Sequence, residues 1–156
     1  MMMSEEFGKI PKRATKGSAG YDIVLPNDET FYPGVFKTLD TGLSFDGKEV
    51  AMLISSEYHN EKAEPVRVVG LPFRWVALIF PRSSLGFEYG MRFANTICVI
   101  DQDYRNNIKL SITVDEKCEM HRGDRIAQMI VIPYCIFMEE DTPFETRTGG
   151  IGSTGR

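Results

Sequence analysis

The chain has 156 residues, with 22 acidic side chains against 18 lysines and arginines and a formal net charge of −4. This length suits one domain with a proper hydrophobic core, and the acidic balance argues against a polynucleotide-binding protein, which usually presents a basic face. No apolar run approaches the length of a membrane-spanning helix, and the polar N-terminus does not resemble a signal peptide. We therefore expect a soluble, cytoplasmic protein that binds neither membranes nor polynucleotides.

The cysteines Cys98, Cys118 and Cys135 are odd in number and show no CxxC spacing. Disulfide frameworks usually contain even numbers of cysteines, whereas reduced thiols are the rule in cytosolic proteins. The pattern predicts three buried free thiols in a reducing compartment.

Glycine and proline recur at short intervals, and no long segment shows helical periodicity. Residues 16–18 predict a turn that leads into residues 19–23. Asp22 in that segment is either a cap or turn residue or an acid of a ligand site. Residues 31–34 predict a second turn before an extended run at residues 35–45.

The next part of the chain predicts strands around a polar insertion. Residues 49–55 have the pattern of a strand buried on both faces, and residues 57–65 that of a charged surface loop or insertion. Two more strands are predicted at residues 66–69 and 74–80. Alternation along the last strand predicts an apolar face that packs in the core, formed by Trp75, Ala77 and Ile79.

Pro81 ends this last strand, and Ser83 or Ser84 is predicted to N-cap a short helix that runs to about Tyr89. Free backbone N–H groups, two hydroxyls and the preceding Arg82 form a ready anion site. The alternative is a plain serine cap, which explains the serines but leaves the arginine without a role.

An apolar run at residues 98–100 and an alternating run at residues 108–114 flank a polar stretch with two acids and a tyrosine. The Asn106-Asn107 pair in that stretch tolerates positive φ, so we predict two antiparallel strands joined by a tight hairpin. A loop on a rigid sheet can aim side chains such as Asp101. The alternative is an ordinary hairpin with a polar tip.

Residues 115–120 predict a polar crossing, residues 121–124 a turn, and residues 125–133 a strand that is apolar except for Arg125 and Gln128. A buried amide without partners costs about 1–3 kcal/mol. Gln128 is therefore expected either to satisfy a backbone edge or to donate its amide to a ligand oxygen.

The C-terminal residues 146–156 are rich in glycine, with hydroxyls and two arginines. Such a backbone can wrap closely around phosphates, although the Walker lysine is missing and no helix follows. The alternatives are a disordered tail and a segment that becomes ordered only with a ligand or a neighbouring subunit.

Five segments, in this order along the chain, resemble the five motifs of the trimeric deoxyuridine triphosphate nucleotidohydrolases, the dUTPase family. The second, third and fifth are similar to the family patterns PRSGL[AG], GVIDxDYRG and GGFGSTG. The matching segments are Ala19-Gly20-Tyr21-Asp22-Ile23, Pro81-Arg82-Ser83-Ser84-Leu85-Gly86, Val99-Ile100-Asp101-Gln102-Asp103-Tyr104-Arg105, Gly123-Asp124-Arg125-Ile126-Ala127-Gln128-Met129-Ile130 and Gly149-Gly150-Ile151-Gly152-Ser153-Thr154-Gly155.

The resemblance implies an all-β subunit, a distorted jelly-roll-like β-barrel with one short helix. Residues 1–145 would form the β domain, and residues 146–156 a flexible C-terminal arm that closes over the active site. It also implies a homotrimer whose active sites lie between subunits, so that the motifs of one site come from different chains.

The implied reaction is hydrolysis of dUTP to dUMP and pyrophosphate. Asp101 matches the acid that orients and deprotonates the water attacking the α-phosphorus, and a carboxylate that is ionised at neutral pH needs only hydrogen-bond reach to that water. Mg²⁺ would sit on the triphosphate oxygens, with Asp22 reaching its shell through water.

The resemblance also assigns the substrate-binding residues. Tyr104 would pack against the deoxyribose. The base-reading positions are Asn95, Val99, Ile100 and Lys109. The phosphate-binding positions are Arg82, Ser83, Ser84 and Gln128. The arm contributes Arg147, Ile151, Gly152, Ser153 and Thr154.

The chain departs from the family pattern at several positions. Ile151 replaces the aromatic residue that usually stacks over the uracil, and Arg147 is one residue closer to the glycine pair than usual. Cys98 and Asn106 replace glycines, and the loop at residues 57–72 is longer than the family needs.

Two other functions fit parts of the pattern. A dCTP deaminase shares the implied fold and an arginine-serine-serine motif, but it needs a catalytic glutamate in a TLE-type segment rather than Asp-x-Asp-Tyr. A non-catalytic dUTPase-like protein that binds nucleotide or a regulatory partner is the second alternative. Zinc-dependent nucleobase deaminases are disfavoured because the H-x-E and P-C-x-x-C ligands are missing.

Overall fold

The computed structural model describes residues 11–45 and 74–135, which form ten strands and one short helix. The strands are β1 (Lys12–Arg13), β2 (Tyr21–Val24), β3 (Glu29–Phe31), β4 (Lys37–Asp40), β5 (Arg74–Pro81), β6 (Arg92–Phe93), β7 (Cys98–Ile100), β8 (Lys109–Thr113), β9 (Cys118–Met120) and β10 (Arg125–Tyr134), and the helix α1 is Ser83–Tyr89. Within these residues no helix has the length and apolar character needed to cross a bilayer.

The strands form three antiparallel sheets. The largest has the order β1-β2-β10-β5-β7, the second pairs β3 with β9, and the third has the order β4-β8-β6. The described strands do not close into a barrel. They agree with the predicted all-β fold and its single helix, in a jelly-roll-like arrangement of sheets.

One hydrophobic core joins the three sheets, since every sheet contributes buried apolar side chains to the same cluster. On β5, Ala77 and Ile79 are fully buried and Trp75 packs against the core, which confirms the predicted apolar face. Burial of this kind contributes about 25 cal/mol per Å² of apolar surface, so the face fixes which side of the sheet lies inward.

Several predicted elements are confirmed. The chain turns at residues 16–17 before β2, at residues 33–34 before β4, and at residues 122–123 before β10. The predictions at residues 49–55, 57–72 and 66–69, together with the arm at residues 146–156, lie outside the described residues.

The predicted hairpin is wrong. β7 pairs with β5, whereas β8 pairs with β4 and β6, so the connection between β7 and β8 crosses from one sheet to another. The connection is also packed, because the side chains of Tyr104 and Ile108 are buried in the core. Asn106 and Asn107 therefore do not form a tight turn, and neither has a positive φ.

The predicted serine cap is also wrong. Arg82, with extended backbone at φ −76° and ψ 137°, is the N-cap of α1, and its side chain makes no capping bond. Ser83 is already helical, and the helix ends at Tyr89 as predicted. The physical reason is that β5 runs to Pro81 and its extended backbone continues into Arg82, so the helix begins directly at Ser83.

Two further predictions need correction in the last part of the described chain. Residues 115–120 contain the strand β9, in which Cys118 and Met120 are buried on one side and Glu119 is exposed on the other. The three thiols are free, but only Cys98 and Cys118 are buried and Cys135 is exposed.

Cys98 replaces a glycine without backbone strain, since it lies in β7 and is not among the described residues with positive φ. Burial raises the pKa of its thiol, partly offset by a hydrogen bond with Asn95. The thiol is therefore a packing group at neutral pH rather than a nucleophile.

The end of α1 supports a stability prediction at Gly90. This residue has φ 64°, and a Cβ added to it would overlap the Asp115 carboxylate, which is paired with Arg92. We expect Gly90→Ala to lower the free energy of unfolding by about 1–2 kcal/mol, the cost of a left-handed non-glycine residue. A thermal melt should show Tm lower by roughly 2–4 °C per kcal/mol.

Gly17 provides the matched control for this prediction, because its backbone is not left-handed and a Cβ there meets no other atom within 4 Å. Gly17→Ala should leave Tm within about a degree or two of the wild type. Equal melts for the two variants would contradict the assignment of Gly90 as a required glycine.

Candidate functional site

A carboxylate between two arginines lies on the largest sheet. The Asp22 side chain on β2 is only 15% exposed. Its Oδ1 lies 3.4 Å from Nε of Arg82, and its Oδ2 lies 3.3 Å from Nη1 of Arg125. Asp22 is thus neither a helix cap nor an Asx-turn residue, but the anion that holds two guanidinium groups side by side.

A bulge in β10 brings the second arginine to this place. Gln128 is opposite Asp22, and Arg125 is opposite Val24, with a register shift between residues 125 and 127. In a regular strand, residues three apart point to opposite faces, and the extra residue of a bulge puts Arg125 and Gln128 on the same face. Arg125 was therefore not predicted as a site residue, although it is a charged residue in an otherwise apolar strand.

Gly20 is part of the same arrangement. A Cβ at this position would lie 2.9 Å from Oε1 of Gln128, so a larger residue would displace the amide. The absence of a Cβ at Gly20, the glycine of the first motif, therefore leaves space for the half-buried Gln128 side chain beside Asp22. We call Asp22, Arg82, Arg125 and Gln128 the arginine cluster.

The exposed side chains of Ser83 and Ser84 adjoin this cluster at the first turn of α1. They follow Arg82 directly, and the helix leaves its first N–H groups without partners inside the helix. Two hydroxyls, free N–H groups and two guanidinium groups are suited to several oxygens of a polyphosphate.

Asp101 lies in a different part of the molecule. It follows β7, its side chain is exposed, and its backbone carbonyl accepts a 3.1 Å hydrogen bond from the N–H of Tyr104. The hydroxyl of Tyr104 donates to the carbonyl of Asn107 at 3.1 Å, and only 8% of Tyr104 is exposed. Gln102 Oε1 accepts a 3.4 Å hydrogen bond from the N–H of Trp75, which attaches this loop to the start of β5.

Three of the four predicted base-reading residues lie in β7 or shortly before it. Val99 on this strand is 56% exposed, whereas its neighbour Ile100 is buried. Asn95 precedes the strand, and Lys109 begins β8 at the far end of the connection; both are exposed. Asn95, Val99 and Asp101 are exposed in the same stretch of the chain, as a recognition surface requires.

Asp101 and the arginine cluster lie at opposite ends of β5. The strand register places Ile100 opposite Ala77, near the start of β5, and places Pro81, next to Arg82, opposite Ala127. Asp101, the residue after Ile100, is therefore opposite Val76. Val76 is six residues from Arg82, which corresponds to about 20 Å along the strand. One chain does not bring its own Asp101 to its own arginine cluster.

The predicted site residues thus fall into three sets. Asp22, Arg82, Ser83, Ser84 and Gln128 are together at the arginine cluster. The stretch from the end of β6 to the start of β8 contains Asn95, Val99, Ile100, Asp101, Tyr104 and Lys109. The remaining predictions, Arg147, Ile151, Gly152, Ser153 and Thr154, lie outside the described residues.

The described residues contain no group of three or more His, Cys, Asp or Glu side chains placed to hold a metal ion. Both oxygens of Asp22 already face guanidinium groups. A carboxylate retains further lone pairs, so this donor set fits contact with a metal through a bound water, but not a cage made of protein groups alone.

Comparison with known proteins identifies the family. The family model described as dUTPase matches residues 65–155. The deoxyuridine 5'-triphosphate nucleotidohydrolase of Lactococcus lactis subsp. lactis is 32% identical over 155 residues, covering 94% of this chain and 87% of that protein. The corresponding protein of Desulfitobacterium hafniense is 35% identical over 156 residues, with coverage of 94% and 87%.

Solved structures agree with the fold. A dUTPase from Streptococcus mutans superposes with a TM-score of 0.62 at 20% identity, covering 87% of this chain and 96% of that one. The dUTPase of Staphylococcus bacteriophage 80alpha with dUPNHPP gives a TM-score of 0.63 at 18% identity, covering 100% and 96%. The chain belongs to the dUTPase family of nucleotide diphosphohydrolases.

Proposed function

We propose that this protein hydrolyses dUTP to dUMP and pyrophosphate, with Asp101 as the base that activates the attacking water. The proposal rests on one observation above all: the arginine cluster assembles side chains of three separate motifs on one face of the sheet. Two guanidinium groups beside one carboxylate leave a net positive charge, and this arrangement suits a polyphosphate.

The arginine cluster would bind the triphosphate. Arg82 and Arg125 carry two positive charges against the single negative charge of Asp22, and the net positive charge favours an anion. Guanidinium groups bind phosphate oxygens through paired N–H donors, and Ser83, Ser84 and Gln128 add neutral donors. Asp22 keeps the two arginines in position before the substrate arrives, which reduces the ordering cost of binding.

Each site would combine two subunits. Because Asp101 lies about 20 Å along β5 from the arginine cluster of its own chain, the α-phosphorus needs an Asp101 from a neighbouring chain. A homotrimer with cyclic symmetry repeats this contact three times. Residues 1–145 would form the β domain of each subunit, and residues 146–156 the arm that closes over the nucleotide.

In the complete site Asp101 would accept the proton of a water placed in line with the α-phosphorus, and pyrophosphate would leave. Positioning and charge neutralisation supply most of the rate enhancement in phosphate hydrolysis. Mg²⁺, when bound to the triphosphate oxygens, neutralises part of their charge. Asp22 would contact it through water.

The region around β7 would select the base and sugar. Backbone groups at Val99, Ile100 and Lys109, together with the Asn95 amide, would pair with the uracil edge, and a site matched to uracil leaves polar groups unpaired with cytosine. Tyr104 would face the deoxyribose, and its buried position leaves little space for a 2′-hydroxyl.

The assay that tests this function is incubation with dUTP or dCTP in the presence of Mg²⁺. We expect pyrophosphate and dUMP from dUTP and no ammonia from dCTP. Ammonia from dCTP would instead indicate a deaminase of the same fold. Nucleotide binding without either product would indicate a non-catalytic nucleotide-binding or regulatory protein and contradict the proposal.

A further inference from the structure

Thr96 has an unusual backbone conformation. Its φ is 63°, and among the described residues it is the one non-glycine residue with positive φ. A β-branched side chain makes this conformation a genuine outlier, and such outliers persist only where the surroundings impose them.

Two hydrogen bonds define a bend around this residue. The N–H of Thr96 donates to the carbonyl of Phe93 at 3.2 Å, and the N–H of Ile97 donates to the carbonyl of Asn95 at 2.6 Å. The second bond spans three residues with a positive φ at the centre, which is the rare and strained form of the γ-turn. We call residues 93–97 the 93–97 bend.

The bend is fixed at both ends. Phe93 belongs to β6 in the three-stranded sheet, and Cys98 begins β7 in the largest sheet. The N–H of Ala94 donates to the carbonyl of Ser111 at 2.9 Å, and the Asn95 side chain hydrogen-bonds the buried Cys98 thiol. The two sheets therefore hold the strained conformation, while the Thr96 side chain itself is exposed.

We propose that the 93–97 bend is a positioning element for base recognition, in which the positive φ of Thr96 sets Asn95 against the exposed edge of β7. This inference rests on the proposed function, because it assigns the uracil edge to Asn95 and Val99. The backbone conformation carries the role, and the threonine side chain does not. If Thr96 relaxed to a negative φ, Asn95 would turn away from the start of β7. Asn95 and Val99 would then no longer face the same uracil edge.

Three variants test the bend. Thr96→Gly keeps the N–H and removes the penalty of the Cβ, so Tm should stay equal or rise. Thr96→Pro imposes a φ near −65°, and Ile97→Pro removes the bond to the Asn95 carbonyl but keeps the Thr96 N–H. Both proline variants should raise KM for dUTP and the Kd of dUMP by about tenfold or more, with a much smaller change in kcat.

Inhibition by pyrophosphate separates a loss of base recognition from a general structural defect. A general structural defect would also change the inhibition constant of pyrophosphate. Pyrophosphate lacks a base, so its inhibition constant should be the same in the wild type and in both proline variants. Oligomeric state and thermal melts establish that each variant is folded.

The outcomes separate this inference from the proposed function. No dUTP hydrolysis and no dUMP binding by the wild type would reject the proposed function, and the bend with it. An active wild type with unchanged KM in the folded proline variants would reject the bend alone. A lower Tm for Thr96→Gly would contradict the strain, and proline variants that fail to fold would assign the bend to folding and overturn its role in recognition.

Discussion

Replacing Asp101 by asparagine is expected to lower kcat by about 10²–10⁴-fold, the usual contribution of a general base. An asparagine of nearly the same shape keeps the water site and its hydrogen bonds but cannot take a proton. The affinity for nucleotide should change by only a few-fold, because the arginine cluster and the region around β7 are untouched. Pyrophosphate release measures kcat, and titration with the analogue dUPNHPP measures binding.

Asp103 provides the matched control, since it is an exposed carboxylate two residues further in the same loop. Asp103→Asn should keep kcat within about tenfold of the wild type, because in the proposed mechanism the proton goes to Asp101 and not to Asp103. Unchanged turnover in Asp101→Asn would remove Asp101 as the base. The reverse result, with Asp103→Asn inactive and Asp101→Asn active, would move the role to Asp103.

Deleting residues 148–156 is expected to abolish turnover while the trimer remains assembled. The deleted segment includes Ile151, Gly152, Ser153 and Thr154, and closure of such a segment over a substrate excludes water and aligns the reacting groups. Losses of about 10²-fold or more follow when alignment is lost. Light scattering after gel filtration reports the assembly, and the same chromatographic fraction is assayed with dUTP.

Removal of Arg156 alone is the control, because it keeps the whole GGxGSTG-like segment at residues 149–155. This variant should hydrolyse dUTP at about the wild-type rate. If the longer deletion also hydrolyses dUTP normally, the C-terminal arm has no catalytic role. If the longer deletion dissociates the trimer, the segment contributes to assembly instead.

Much of the strand framework could be predicted because its signals are local. The alternation that puts Ala77 and Ile79 inward on β5 depends only on the period of a strand and on burial. The apolar run of β10 and the turn at residues 122–123 depend on hydrophobicity and on glycine. Such signals do not need information about which strands pair.

Strand pairing was the point at which local signals failed. The runs before and after residues 101–108 have the pattern of a hairpin, but Tyr104 and Ile108 bury their side chains and carry the chain to another sheet. Long-range burial outweighed the local turn preference of the asparagine pair. The serine cap failed for a related reason, because the extended backbone that β5 acquires from its strand partners continues through Arg82 and the helix begins at Ser83.

Most residues of the candidate site could be predicted from the sequence motifs, but their arrangement in space could not. Gln128 was identified, but the role of Arg125 depends on a bulge that no periodicity reveals. The positive φ of Thr96 is also invisible in the sequence, since threonine is a poor residue for that conformation. Both features arise from the way neighbouring strands constrain the backbone.

The central claim is that one active site takes its arginine cluster from one subunit and Asp101 from another, and mixed trimers test it most directly. Asp101→Asn and Arg82→Ala should each be almost inactive alone. After joint unfolding and refolding at equal amounts, random assembly leaves about one site in four with both halves intact, so activity should recover to about a quarter of the wild type. Mixed trimers, verified by mass spectrometry, that stay as inactive as the separate variants would contradict the shared site.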